Sequence, residues 1–256
     1  MEISAFNNSV VKAFQLLEHF TADKPSWGVR ELAYELGANK STTYRLMATL
    51  NSLGVLKKDE ETEKYSLGLK LFELGHRVDL HSAFIAKTHP VLEEVVAEIT
   101  ETVHLGILKE GQVLMVDRLE SPQGLKLNSS IGSYSPAYCT SLGKILLADL
   151  DEEAFGSYYE HTEFSSFTQH TIVEKELLEK ELHKVRKQGF ALDREEKEYG
   201  LICLGVPVFN ARGEMIAALS AAGPAQRFKS QMLKEYVQIL KNGASLIQQK
   251  LGSFKP

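Results

Sequence analysis

Lys40, Ser41, Thr42, Tyr44 and Arg45 fall within six residues, and the stretch Gly37 to Lys58, GANKSTTYRLMATLNSLGVLKK, carries Lys40, Arg45, Lys57 and Lys58 but no carboxylate. Small hydroxyls and cations in one acid-free segment suit a polyanion. Arg pairs bidentately with guanine, Lys neutralises phosphate, and Ser or Thr bonds to phosphates or bases. A second set is TSLGK, residues 140–144. Thr140 can cap a helix there, and the N–H groups of Ser141, Leu142 and Gly143 at its free end could receive an anion such as a carboxylate. The GK pair does not make a phosphate loop, because Tyr138 stands where GxxxxGK needs glycine.

A third set, His104, Cys139 and Cys203, invites two further readings: a zinc site, or an enzyme in which Cys203 is the nucleophile and His104 its base. Neither has support in spacing. The eight histidines are scattered without an HExxH pair, there is no CxxC, no GxSxG, and no GxGxxG after a strand. A cysteine in an apolar run behaves as a small buried hydrophobe. A Cys203-dependent enzyme with a DNA-binding module is therefore the alternative reading, and neither cofactor nor metal is expected.

Helices must hold the first set in place. In NSVVKAFQLLEHF, Val10, Phe14, Leu17 and Phe20 recur at helical spacing behind Asn8/Ser9 as a cap. GVRELAYELG gives a second helix that stops at Gly37, suited to a left-handed turn. A third runs from Asn39 or Lys40 to about Leu53. At 100° per residue Thr43, Leu46, Met47, Leu50 and Leu53 share one side, while Ser41, Tyr44, Arg45 and Ala48 lie opposite. VLKKDEETEKYSLG then reads as strand, charged turn and strand, anchored by Val55/Leu56 and Tyr65/Leu67. Three short helices followed by a hairpin is the winged helix-turn-helix order, with Lys57 and Lys58 on the wing. Such a third helix fits the major groove.

Past the wing, GLKLFELGHRVDLHSAF continues as a linker helix. From about Phe84 the pattern becomes a helix (HPVLEEVVAEITET), a hairpin turning at Glu110-Gly111 and a third strand near GLKLNSSIG. The capped helix at Thr140, a helix KELLEKELHKVRKQG, strands LICLGVPVFN and EMIAALSAAG, and a closing helix follow. The class is α+β, with an antiparallel or mixed sheet flanked by helices.

Charge separates the two parts. The chain has 256 residues, 29 Lys/Arg and 34 Asp/Glu, net −5, yet its first seventy residues hold nine of each sign, so the acidity lies downstream. A pI near 5.9 argues against indiscriminate coating of nucleic acid and leaves room for a local footprint. Two cysteines cannot make a disulfide framework, no apolar run reaches membrane-spanning length, and MEISAFNNSV is neither a signal nor a transit peptide, so a cytoplasmic protein is expected.

The segments SVVKAFQLLEHF, GVRELAYELGANKSTTYRLMATLNSLGVLKKD and KYSLGLKLFELG resemble the DNA-binding half of the IclR family of bacterial transcriptional regulators. ETVHLGIL, SPAYCTSLGKILLA and GFALDREEKEYGLICLGVPVFNARGEMIAALSAAGP resemble its effector half. The resemblance implies a winged helix-turn-helix over 1–67, a linker helix over 68–83 and a GAF-like effector-binding domain over 84–256. It also implies a homodimer or a dimer of dimers on a pseudo-palindromic operator, a small-molecule effector, and a repressor of a catabolic operon. Asp193, Cys203 and Ser220 are implied to line the effector cavity beside Thr140 to Gly143, with Tyr134 and Tyr138 adding aromatic wall. Where the family often has a second serine two residues after Ser220, this chain has Ala222. One hydrogen-bond partner is lost, which favours a more apolar effector.

Overall fold

The computed structural model describes residues 7–21, 23–78, 84–124, 127 and 129–254. The chain divides into two compact units, 1–81 and 82–256.

The first unit contains α1 (Asn8–Glu18), β1 (Ser26–Trp27), α2 (Val29–Glu35), α3 (Lys40–Ser52), β2 (Leu56–Lys58), β3 (Tyr65–Leu67) and α4 (Leu69–Gly75). Its small antiparallel sheet has the order β1-β3-β2. Leu16, Phe20, Trp27, Leu32, Met47, Leu50, Leu56 and Tyr65 form one core. The cap of α1 is Asn7, one residue earlier than expected, whose side-chain oxygen accepts the N–H of Ser9 at 3.1 Å. The inward stripe of α1 is also shifted. Ala13, Leu16, Leu17 and Phe20 pack on the core at i, i+3, i+4, i+7, whereas Val10 and Phe14 are 53% and 63% exposed. Gly37 takes φ +57° between α2 and α3. On α3, Thr43, Met47 and Leu50 are buried, Leu46 is half-buried, and Leu53, expected inside, is exposed because it is the residue on which the helix ends.

The wing turn is closed by Asp59, whose carboxylate accepts the N–H groups of Glu61 and Thr62 at 2.9 and 2.8 Å. The Thr62 bond above all, with that of Glu61, lowers its acid below the ordinary aspartate value. Of the linker helix expected to reach 83, the helical part is 69–75, and 79–83 lie outside the described residues.

The second unit contains α5 (Ala86–Ile99), β4 (Thr102–Lys109), β5 (Gln112–Leu119), β6 (Tyr134–Pro136), α6 (Ser141–Ala148), α7 (Glu152–His161), α8 (Lys175–Gln188), β7 (Ala191–Arg194), β8 (Leu201–Phe209), β9 (Met215–Pro224) and α9 (Ser230–Leu251). The six strands pair antiparallel in the order β6-β5-β4-β9-β8-β7. The third strand lies at 134–136 rather than near 124–132, and no strand occurs among the described residues of that earlier stretch. Two glycines, two serines and an asparagine there give little β propensity.

Alternation along the strands sorts the two faces. On β9, Leu219 lies near Gly243 of α9, so its face carries α5 and α9. Ala218 belongs to the core built around α6, so Ser220 and Ala222, two and four residues on, share the α6 face. All of α6 is buried, as are Leu178, Leu182 and Val185 of α8, which packs against it.

Candidate functional site

Two sites follow from these elements. The first is the outward face of α3. Lys40, Ser41, Thr42, Tyr44 and Arg45 are all exposed, and among the described residues Lys40, Arg45 and Lys57 have no carboxylate partner. The inward positions Thr43, Met47 and Leu50 fix the rotation of the helix, and with it the direction in which the others point. Thr43 Oγ1 also donates to the Asn39 carbonyl at 3.2 Å. Lys57 is exposed on the wing. Lys58 differs from it. Its ammonium donates to Glu63 at 2.7 Å, lies 3.8 Å from Glu60, and is raised further above its ordinary pKa by the Glu63 hydrogen bond.

The second site is a cavity of about 90 Å³ between the sheet and the N-terminus of α6. Register brings its sheet wall together. Asp193 pairs with Cys203, Cys203 with Ala222, and His104 with Ser220, which places residues from β7, β8, β9 and β4 in adjacent rows on one face. Val113 and Met115 of β5 add apolar wall, and Thr140, Ser141 and Leu142 close the cavity from α6.

Thr140 caps α6 as expected, its Oγ1 accepting the Gly143 N–H at 3.1 Å. Gly143 therefore has no free N–H and is not part of the lining; the open donors at this terminus are those of Ser141 and Leu142. What Gly143 supplies is closeness: a Cβ there would come within 2.1 Å of the Ala137 carbonyl oxygen.

Neither tyrosine joins the lining. Tyr138 is turned into the core, where its hydroxyl donates to the Ser165 carbonyl at 2.9 Å and accepts the Ser165 N–H at 2.8 Å, with its ring 4.7 Å from that of Phe164. Tyr134 is exposed on the edge strand β6.

Cavity electrostatics run against thiolate chemistry. Burial pushes the Cys203 thiol well above its ordinary pKa, with the Asp193 carboxyl adding to the shift. Burial, helped by Arg118 and Lys197, lowers His104 to about 3, so its ring is neutral, with Nε2 3.0 Å from Ser129 Oγ. A thiolate nucleophile needs the opposite surroundings. Burial also raises Asp193 to about 7, although its carboxylate accepts the Glu196 N–H at 2.8 Å. Cys139 is buried and raised to about 12. Among the described residues no group of three or more His, Cys, Asp or Glu is placed to hold a metal ion.

Sequence reasoning passed over several lining residues: Ser129, Ser135, Met115, Val113 and, above all, Lys197. Lys197 lies in DREEKEYG, a loop between β7 and β8 with no periodicity to assign it a direction. Its one signal is being a cation in an acidic run four residues after Asp193.

Comparison with known proteins agrees across both units. The family "IclR helix-turn-helix domain" matches residues 9–60, and "Bacterial transcriptional regulator IclR C-terminal" matches residues 76–249. The HTH-type transcriptional regulator KdgR of Escherichia coli (strain K12) is 38% identical over 245 residues, covering 96% of this chain and 93% of that one. The crystal structure of the Thermotoga maritima IclR superposes with TM-score 0.76 at 31% identity, covering 96% and 99% of the two chains. An IclR homolog from Microbacterium hydrocarbonoxydans, solved in complex with 4-hydroxybenzoate, shares the fold with TM-score 0.86 at 23% identity over 95% and 99%. The chain belongs to the IclR family of bacterial transcriptional regulators, with a helix-turn-helix unit for DNA and a C-terminal unit for an effector.

Proposed function

We propose that this regulator represses a catabolic operon by holding a pseudo-palindromic operator through α3 and the wing, and that it answers to a small carboxylate or aromatic acid bound in the cavity above α6. The observation that carries the DNA reading is the free outward face of α3. Lys40, Ser41, Thr42, Tyr44 and Arg45 contact DNA, with Arg45 the reader of a base edge and Lys57 the wing's phosphate contact. Lys58 serves the wing's shape through Glu63 and reaches phosphate only by exchanging partners.

So few cations per subunit make one copy a weak binder, and a dimer or dimer of dimers supplies the avidity. A candidate dimer surface comes from the exposed apolar side chains of Val10 and Phe14 on α1 and of Leu69, Phe72 and Leu74 on α4. Large apolar side chains left exposed along a helix are a mark of association surfaces.

A carboxylate effector is supported by the donors at the start of α6 and by the hydroxyl-rich lining. The fold relative solved with 4-hydroxybenzoate adds the aromatic acids. The effector must bind the two arrangements of the dimer with different affinity, since equal affinity shifts nothing. Gel-shift titration of DNA upstream of the adjoining operon, with and without the acid, tests this. Binding that is sequence-independent, or indifferent to every acid tried, contradicts it.

A further inference from the structure

Two lysines lie beside the effector cavity, and the protein uses them differently. Lys144 of α6 is 1% exposed, and its ammonium is taken by the Glu196 carboxylate, the Leu192 carbonyl at 3.1 Å and Glu181 at 4.0 Å. Lys197 is half-buried and lines the cavity, and its Nζ donates to Ser135 Oγ at 2.8 Å. Among the described residues it has no carboxylate partner.

Two hydroxyls in the same lining are also open. Ser141 and Ser220 are 1% and 2% exposed, and among the described residues neither hydroxyl bonds to a protein atom. Buried polar groups are nearly always satisfied, so a wall holding two open hydroxyls and two open helix N–H groups awaits an occupant with polar atoms of its own.

We propose that Lys197 is the charge-selecting residue of this cavity and that the occupant is a small organic anion. The ammonium, steadied by Ser135, meets the anionic group, and the Ser141 and Ser220 hydroxyls bond the remaining polar atoms. The proposal rests on the reading of the cavity as the effector site.

The other charged groups around Lys197 leave it this role. Lys144 is consumed. His104 is neutral against Ser129, and Arg118, its register partner on β5, is not in the lining; its Nη1 donates to the Ser129 carbonyl and its Nη2 lies 3.2 Å from Glu120. Glu198 is exposed to solvent, which screens it. Asp193 is the one buried acid in the lining, and its raised pKa weakens the opposition it offers to an anion. A charge-assisted hydrogen bond from Lys197 discriminates an acid from its amide, where a hydroxyl alone would not.

The test uses the full chain and three acid/amide pairs: lactate with lactamide, 4-hydroxybenzoate with 4-hydroxybenzamide, and gluconate with gluconamide. Each is titrated by thermal shift, because a ligand of the native state raises apparent stability by mass action. At least one acid is expected to stabilise the protein, with its amide weaker by about ten-fold or more. Lys197→Met should weaken that acid by about ten-fold or more while changing the amide by less than about two-fold, and Lys197→Arg should restore most of the loss. Lys197 is half-buried and bears no ion pair, so an unchanged melting temperature without ligand certifies the fold of both variants.

Equal binding of acid and amide overturns the proposal. So does a Lys197→Met protein that keeps the acid's full affinity, or the failure of all three acids. Leu201→Trp, which fills the cavity from a half-buried lining position, separates this failure from that of the underlying reading. If Leu201→Trp abolishes acid binding and Lys197→Met does not, the effector site stands without charge selection. If the acid still binds the Leu201→Trp protein, both fall.

Discussion

The N-termini of α3 and α6 are built from similar material and put to opposite use. Each helix opens on small hydroxyl residues and carries a lysine in its first turns: Lys40, Ser41 and Thr42 on one, Thr140, Ser141 and Lys144 on the other. On α3 the polar residues other than Thr43 are all in solvent, and only Thr43, Met47 and Leu50 are buried. On α6 every residue is buried, Lys144 included, and an acid, Glu196, has to come from the chain beyond β7 to hold that lysine. A surface that reads a polyanion keeps its charges free and depends on number and spacing. A cavity that reads a small molecule has to settle each charge individually, because an unpaired ion in low dielectric is costly.

The hardest way to break that contrast is to remove the reader. Arg45→Ala is expected to lower operator affinity by about 100-fold or more, since a base contact is worth roughly 1–3 kcal/mol and the proposed dimer would lose two. Effector binding, followed by thermal shift, should not change. A gel shift showing undiminished operator binding would falsify the assignment of this face.

Next in size is the seat of α6. Gly143→Ala forces a Cβ against the Ala137 backbone, which packed backbone on both sides leaves little room to absorb. About 3 kcal/mol of destabilisation is expected from such overpacking, together with loss of effector response. The check is a denaturant melt paired with effector titration. A variant as stable as the parent would show that α6 shifts freely on its sheet.

How much of this was legible in the residues divides along the same line. The outward face of α3 follows from the periodicity of one helix, so the exposure of Ser41, Tyr44 and Arg45 is legible without knowing what α3 packs on. Gly37 and the Thr140 cap were equally local. The cavity is a product of strand register. His104, Cys203 and Ser220 are brought together by the order β4-β9-β8, which no short stretch encodes. Family resemblance named Asp193, Cys203 and Ser220, but Lys197 sits in a loop, and its direction became visible only with its bond to Ser135, 62 residues away. Tyr138 was misplaced for a related reason: its neighbours Phe164 and Ser165 come from the irregular segment after α7, which sequence pattern left blank.

A smaller effect sharpens the claim that the cavity settles its charges one at a time. Burial raises the folded-state acid of Asp193 from 3.8 to about 7. A folded pKa above the unfolded one means the stability contribution is present below about pH 4 and is lost as pH rises through 7, when the buried carboxylate ionises. Asp193→Asn should therefore melt a few degrees above the parent at pH 8, with the gain shrinking steadily towards pH 4. Thermal melts across that range decide it. A gain of equal size at every pH would mean that the acid never carries the cost of burial.

The smallest expected effect distinguishes two neighbours on the wing. Among the described residues Lys57 has no ion-pair partner and Lys58 is held by Glu63, although sequence alone treats them as equivalent phosphate contacts. Each phosphate neutralised by a cation steepens the fall of log affinity with log salt, so the salt slope counts contacts where affinity at one salt concentration does not. Lys57→Ala should reduce that slope by about one per subunit. Lys58→Ala should leave it close to the parent value, while lowering affinity modestly by baring Glu60 and Glu63 towards the DNA. Exposed ion pairs of this kind contribute little, because solvent screens them, so the pair itself is weak enough for DNA to compete with it. Equal slope losses in the two variants would show that Lys58 abandons Glu63 on the operator, and that even on the open face a charge already paired in the free protein is not yet committed.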